Sequence, residues 1–182
     1  MKQQSRNGVF ETNSSSIHTI SIYNNDDYKE NMKKATSVWF GGGEYGWEED
    51  VYTCDASYLW TAIVTSGRYN HEQIQLIKNS IADILIKNNI DYEFEPYKVV
   101  THEDGSNGYC TFDDWSYIDH TEDLWDFLDY IVNIDYTVNE EHLLRYLFNS
   151  YVCTGNDNCD SGYEIMKREK AKDGITLFVK GN

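Results

Sequence analysis

The chain has 182 residues, 40% hydrophobic and 25% charged, an allowance that fits a single domain over 1–182 and argues against disorder. Fifteen Lys and Arg stand against 31 Asp and Glu, a formal charge of −16; such a field repels phosphates, so a general nucleic-acid coat protein is excluded and strong binding to free nucleic acid is not expected. No apolar run reaches the roughly 20 residues of a membrane span, and Met1–Arg6 leads into no signal-peptide hydrophobic region, so the expectation is a soluble intracellular protein with no membrane partner.

The first predicted element is a strand at residues 16–23, where β-branched residues are dense and near-alternating through Ile20 and Ile22. Its expected partner lies around Val9 and Phe10, with polar Glu11–Ser15 as the turn, giving an N-terminal β-hairpin over residues 6–23. A polar stretch from Asn24 to Lys34 precedes a second strand, Ser37–Phe40, and a glycine-rich segment, Gly41–Trp47. Ala56–Ser66 has helical spacing, with Gly67 as a stop. The next helix is marked by Asn70 and Gln73 as a capping box and by a stripe of Ile74, Ile77, Ile81, Ile84 and Leu85. Residues 92–100 alternate as a strand, Pro96 placing it at an edge, and 104–108 read as a loop. Thr121 caps a helix through Leu124, Trp125, Leu128 and Ile131, and Asn139 caps another through Leu143, Leu144 and Leu147. The end reads as a hairpin, Tyr163–Met166 returning at Ile175–Val179 through Lys172-Asp173-Gly174. Helices and strands intermix without a βαβ rhythm, which predicts an α+β fold with an antiparallel sheet and about four packed helices.

Candidate chemistry concentrates in Arg6–His18, which holds a guanidinium, a carboxylate, amides, hydroxyls and an imidazole. Strand alternation would put Ser14, Ser16 and His18 on one side and Ile17 on the other, with His18 beside hydroxyls and away from the core. RNA scission needs a base near neutral pH, a proton donor and a cation for the phosphate, and His18, Glu11 and Arg6 have that chemistry without an obligatory metal. The plainer reading makes Asn13, Ser14, Ser15 and Ser16 turn-amide acceptors and His18 an ordinary strand residue, and spacing alone favours it. A serine hydrolase is weaker still, because no Gly-x-Ser-x-Gly elbow surrounds Ser14–Ser16. Gly41–Gly46 matches Gly-x-Gly-x-x-Gly but no following helix or βαβ unit supports a dinucleotide site. That segment is either a site wall presenting Glu44 and Tyr45 or a tight turn packed by Trp39 and Trp47. Asp119-His120, just before a helix start, offers a second imidazole beside an acid, with helix capping as the alternative.

Four dispersed cysteines, Cys54, Cys110, Cys153 and Cys159, do not form a disulfide scaffold, and free thiols are expected. Cys153-x5-Cys159 lacks zinc-knuckle spacing, and Asn156–Lys167 fails the calcium-loop pattern at Ser161 and Lys167. The sequence requires no cofactor, while a magnesium site among the carboxylates stays open. Between Lys98 and Arg145 there is no Lys or Arg but twelve carboxylates, Asp113, Asp114, Asp119, Asp126 and Asp129 among them. Carboxylates on a rigid surface can imitate a phosphate backbone and occupy a basic channel; a solvated acidic face is the commoner meaning of such a block.

Arg6–His18, together with Phe40–Trp47, Ser57–Ala62 and Asp119-His120, resembles a group of small proteins from phages and mobile elements of low-GC bacteria that includes anti-CRISPR proteins acting on type II-A effector nucleases. The resemblance is carried by the first third of the chain. It implies an inhibitor working in the bacterial host cytoplasm on the nuclease bound to its guide RNA. It further implies, as in some relatives, a shortened guide, with His18, Glu11, Arg6 and His120 as candidate catalytic residues. The alternative it leaves open is a binding-only inhibitor whose acidic surface blocks a nucleic-acid channel.

Overall fold

The structure is a computed structural model that describes residues 16–46, 50–101, 108–119, 124–156 and 174–180. In chain order these form β1 (Ser16–Tyr23), α1 (Asp27–Lys34), β2 (Ser37–Phe40), β3 (Glu44–Tyr45), β4 (Asp50–Thr53), α2 (Ala56–Thr65), α3 (His71–Lys87), β5 (Asp91–Phe94), β6 (Lys98–Val100), β7 (Tyr109–Thr111), β8 (Tyr117–Ile118), α4 (Leu124–Ile131), α5 (Glu140–Phe148), β9 (Ser150–Asn156) and β10 (Gly174–Lys180). The fold is α+β, as expected. Its main sheet is antiparallel with strand order β10-β1-β9-β4, and three two-stranded pairs, β2-β5, β3-β8 and β6-β7, lie outside it. Two of these pairs, β2-β5 and β3-β8, are parallel, a feature the expectation of antiparallel pairing lacks.

β1 is an inner strand, with His18 opposite Val179 on one side and Thr154 on the other. Both edges of β1 are therefore filled by β9 and β10 from Ile17 to Ile22; the first arm of the expected hairpin, around Val9 and Phe10, and its turn lie outside the described residues. Of the expected C-terminal hairpin, the return strand is β10, whereas Tyr163–Met166 and the turn lie outside the description. β9 and α1 appear where the sequence offered no periodic signal.

The helices start where their caps are. Asn70 accepts from the Gln73 amide while the Gln73 side chain accepts from the Asn70 amide, and all five predicted stripe residues of α3 are buried. Asn139 accepts from the His142 amide to start α5. α2 differs from both, being buried nearly all round from Tyr58 to Val64; a helix apolar on every side is a central one. Asp55 caps it by accepting from the Ser57 and Tyr58 amides at 2.9 and 3.2 Å. Trp125, expected in the buried stripe of α4, is 58% exposed, because Leu124, Phe127, Leu128 and Ile131 already complete the apolar face.

The strand expected over 92–100 is broken into β5 and β6 at Glu95-Pro96-Tyr97. The Glu95 carboxylate accepts from the Gly42 amide at 2.8 Å and its carbonyl accepts from Trp60 Nε1 at 3.1 Å, and Pro96 has no N–H to continue a ladder. Gly42 is required by contact: a Cβ there would lie 2.1 Å from Ser116 Oγ.

Candidate functional site

Of the motif residues assigned chemistry, the side chain that the structure places is His18. It is 0% exposed. Its parity explains this: His18, Ile20 and Ile22 share one face of β1, and both isoleucines are fully buried. The expectation of a histidine among hydroxyls away from the core is thus corrected. His18 Nδ1 and the Tyr58 hydroxyl, reaching in from α2, form a 3.0 Å hydrogen bond. Arg6, Glu11, Asn13, Ser14, Ser15 and His120 lie outside the described residues, as does the side chain of Ser16.

The structure does bring a second candidate to the same place. Tyr45 is 4% exposed, its ring 4.9 Å from that of Tyr58 and edge-on to it, and its hydroxyl donates to Asp55 Oδ2 at 2.9 Å. Tyr146 of α5 donates to the Asp55 carbonyl at 2.6 Å. Asp55 thereby caps α2 and gathers two phenols, while Tyr58 joins this group to β1. Burial, with the Asp55 carboxylate as a secondary cause, pushes the Tyr45, Tyr58 and Tyr146 hydroxyls well above the ordinary phenol range. They are held neutral, Tyr45 and Tyr146 as donors. A buried, hydrogen-bonded set of this kind ties β1, β3, α2 and α5 together. The sequence placed Tyr58 in a helix and in the Ser57–Ala62 motif without giving it a site role, and Asp55 was not singled out; an aspartate one residue ahead of an apolar helix was the available signal.

Glu44 parts company with Tyr45. Adjacent strand residues face opposite sides, so Glu44 is exposed while Tyr45 is buried, and the two do not form one wall. The Gly41–Gly43 segment is stitched down: the Gly41 amide donates to Ser57 Oγ at 3.1 Å, and the Gly43 carbonyl accepts from the Tyr117 amide at 2.9 Å. Residues 41–43 form no turn and are packed against Trp39 and Ser116, while Trp47 lies outside the described residues.

Exposed chemistry sits elsewhere. Between β7 and β8, buried Phe112 and Ser116 pin both ends of a short segment, and Ser116 donates to Asp114 Oδ1 at 2.5 Å. The residues between are turned outward: Asp113 and Asp114 are exposed, and Trp115 is 85% exposed. Exposed Tyr109 and Tyr117 flank them. An open cleft of about 520 Å³ runs along Thr111, Asp113, Asp114, Trp115, Ser116 and Tyr117. Lys98 pairs with Asp113, an exposed ion pair that contributes little to stability.

Among the described residues no three His, Cys, Asp or Glu side chains converge to hold a metal ion, and no helix is long and apolar enough to cross a membrane. Burial raises the thiols of Cys54 and Cys110, both free, so neither is a ready thiolate. No protein-family model, no curated protein and no solved structure matches the chain.

Proposed function

We propose that the chain is a binding inhibitor of a type II-A RNA-guided DNA nuclease, the target class implied by its N-terminal motif. In this reading it occupies a basic nucleic-acid channel with the acidic, aromatic surface between β7 and β8. The observation that carries the reading is the outward presentation of Asp113, Asp114 and Trp115 by a segment anchored at Phe112 and Ser116. Carboxylates held at fixed positions stand in for phosphates and an exposed indole for a base, and charge of this sign speeds encounter with a basic partner. The burial of His18 supports binding over RNA scission, since a general base must reach the proton it removes and this imidazole is sealed against Tyr58.

The test is to titrate the purified protein against nuclease loaded with guide RNA, at low and physiological salt, and to run the RNA on a denaturing gel. The expected result is salt-sensitive binding with the guide intact, and a loss of about tenfold or more in affinity for the combined variant Asp113→Lys, Asp114→Lys, Trp115→Ala. Unchanged affinity for that variant would remove this surface from the interface. A discrete shortened guide would instead restore the RNA-directed reading, with Arg6, Glu11 and His120 as the residues to vary.

A further inference from the structure

We infer that the turn between α4 and α5, with the adjoining face of α4, is a second docking surface, built to receive a basic protein. The turn spans residues 132–138. It is closed by an antiparallel bridge between Val132 and Val138, by Asn133 donating its amide to the Thr137 carbonyl at 2.8 Å, and by Tyr136 donating to the Asn133 carbonyl at 2.9 Å. Asp135 accepts from both the amide and the hydroxyl of Thr137. Two braces fix the turn to α3: Gln73 Nε2 donates to the Tyr136 hydroxyl at 2.5 Å, and the Val138 amide donates to Ser80 Oγ at 2.9 Å.

Ile134 takes no part in this bonding and is 99% exposed. A lone exposed aliphatic residue is ordinary on a protein surface. This one is different because it rims a cavity of about 310 Å³ lined by Arg68, Tyr69, Asp129, Val132, Asn133 and Tyr136. Arg68, one of the lining residues, joins the cavity to Trp125. Arg68 donates to the Trp125 carbonyl at 3.0 Å, pairs with Asp129, and lies 5.5 Å from the Trp125 ring. An exposed isoleucine on the pocket rim and an exposed tryptophan held to the pocket's Arg68, on a braced frame, are the arrangement of interface anchors, which cost little ordering on binding.

Charge selects the occupant. Asp126, Asp129 and Asp135 are exposed on these elements, and among the described residues lining the cavity the one cation is Arg68, already engaged with Asp129. A second copy of the chain would bring the same carboxylates face to face across a two-fold axis, and nucleic acid or an anionic lipid surface would be repelled. A protein rich in Lys or Arg, offering an apolar socket to Ile134, complements the patch.

The nuclease proposed above is such a basic partner, and the inference rests on that reading in using it as the probe. Binding of Ile134→Asn and Trp125→Ala to the guide-loaded nuclease would be measured beside wild type and a control at an exposed aliphatic on another element, Leu76→Asn. Each anchor variant is expected to bind about thirtyfold more weakly, with the Leu76 variant and all melting midpoints unchanged. If wild type binds and Ile134→Asn binds as tightly, this inference falls while the preceding one stands. If wild type binds no nuclease, the preceding reading falls and takes this one with it. Sedimentation of the protein alone gives the remaining outcome: a dimer that Ile134→Asn dissolves would make the occupant a second copy and overturn the assignment.

Discussion

β1 and the segment between β7 and β8 place their side chains in opposite ways. In β1 a histidine, a threonine and a serine are 0–1% exposed, alongside two isoleucines, and the imidazole Nδ1 is hydrogen-bonded to Tyr58. In the second segment the largest side chain of all, Trp115, is 85% exposed directly after two exposed aspartates. Residue types that look catalytic are thus used to fasten the fold, and a residue type that looks like core is offered to solvent. Reactive chemistry depends on access, and access is decided by which strand is inner and which segment is pinned at its ends.

The largest expected effect breaks the buried side of this comparison by pH. The phenols of Tyr45, Tyr58 and Tyr146 are raised above 10.0 by burial, so the folded chain holds protons that the unfolded chain releases. Their contribution to stability is complete below pH about 10 and is lost as pH rises further. Cooperative unfolding in alkali, with tyrosinate absorbance rising in the same transition, is the expected result. Ionisation of all 15 tyrosines with near-ultraviolet circular dichroism intact would contradict the sealed network.

His18→Ala comes next. It removes a fully buried ring and leaves the Tyr58 hydroxyl without its imidazole, which together should cost about 2–4 kcal/mol in urea unfolding. A cost below about 0.5 kcal/mol would return His18 to the surface. The smallest effect sharpens the other side: Trp115→Ala should change stability by no more than about 0.5 kcal/mol, while removing the emission of the most exposed tryptophan among the described residues, which acrylamide should quench readily. A markedly lower melting midpoint would mean that the indole packs against something.

Much of the helical structure was legible before the fold. Asn70-x-x-Gln73 and the isoleucine stripe behind it give α3 its start and its buried face, and Asn139 does the same for α5, because capping and 3.6-residue periodicity are local. α1 was not legible: it has one buried residue, Tyr28, and is held from outside by Asn31 donating to the Phe148 carbonyl and by Arg145 over the Tyr28 ring. β9 was equally silent, since Ser150 and Gly155 leave only the short run Tyr151–Thr154 with strand-forming residues; it is a strand because β1 and β4 flank it. The split of 92–100 at Pro96 was half visible, the proline marking the edge but not the contacts of Glu95 with Gly42 and Trp60.

For the candidate sites the division is sharper. The sequence by itself determined the acidic charge, the α+β class, the helix caps and the parity that joins His18 to Ile20 and Ile22. Only the tertiary structure decided that β1 is an inner strand, that Tyr58 arrives from α2 to meet the imidazole, and that Trp115 and Ile134 face outward from braced segments. The physical reason is range. Caps and periodicity act over a few residues, whereas burial depends on partners such as Val179, Thr154 and Tyr58, which lie 40 or more positions from His18 and become its neighbours only when the chain folds.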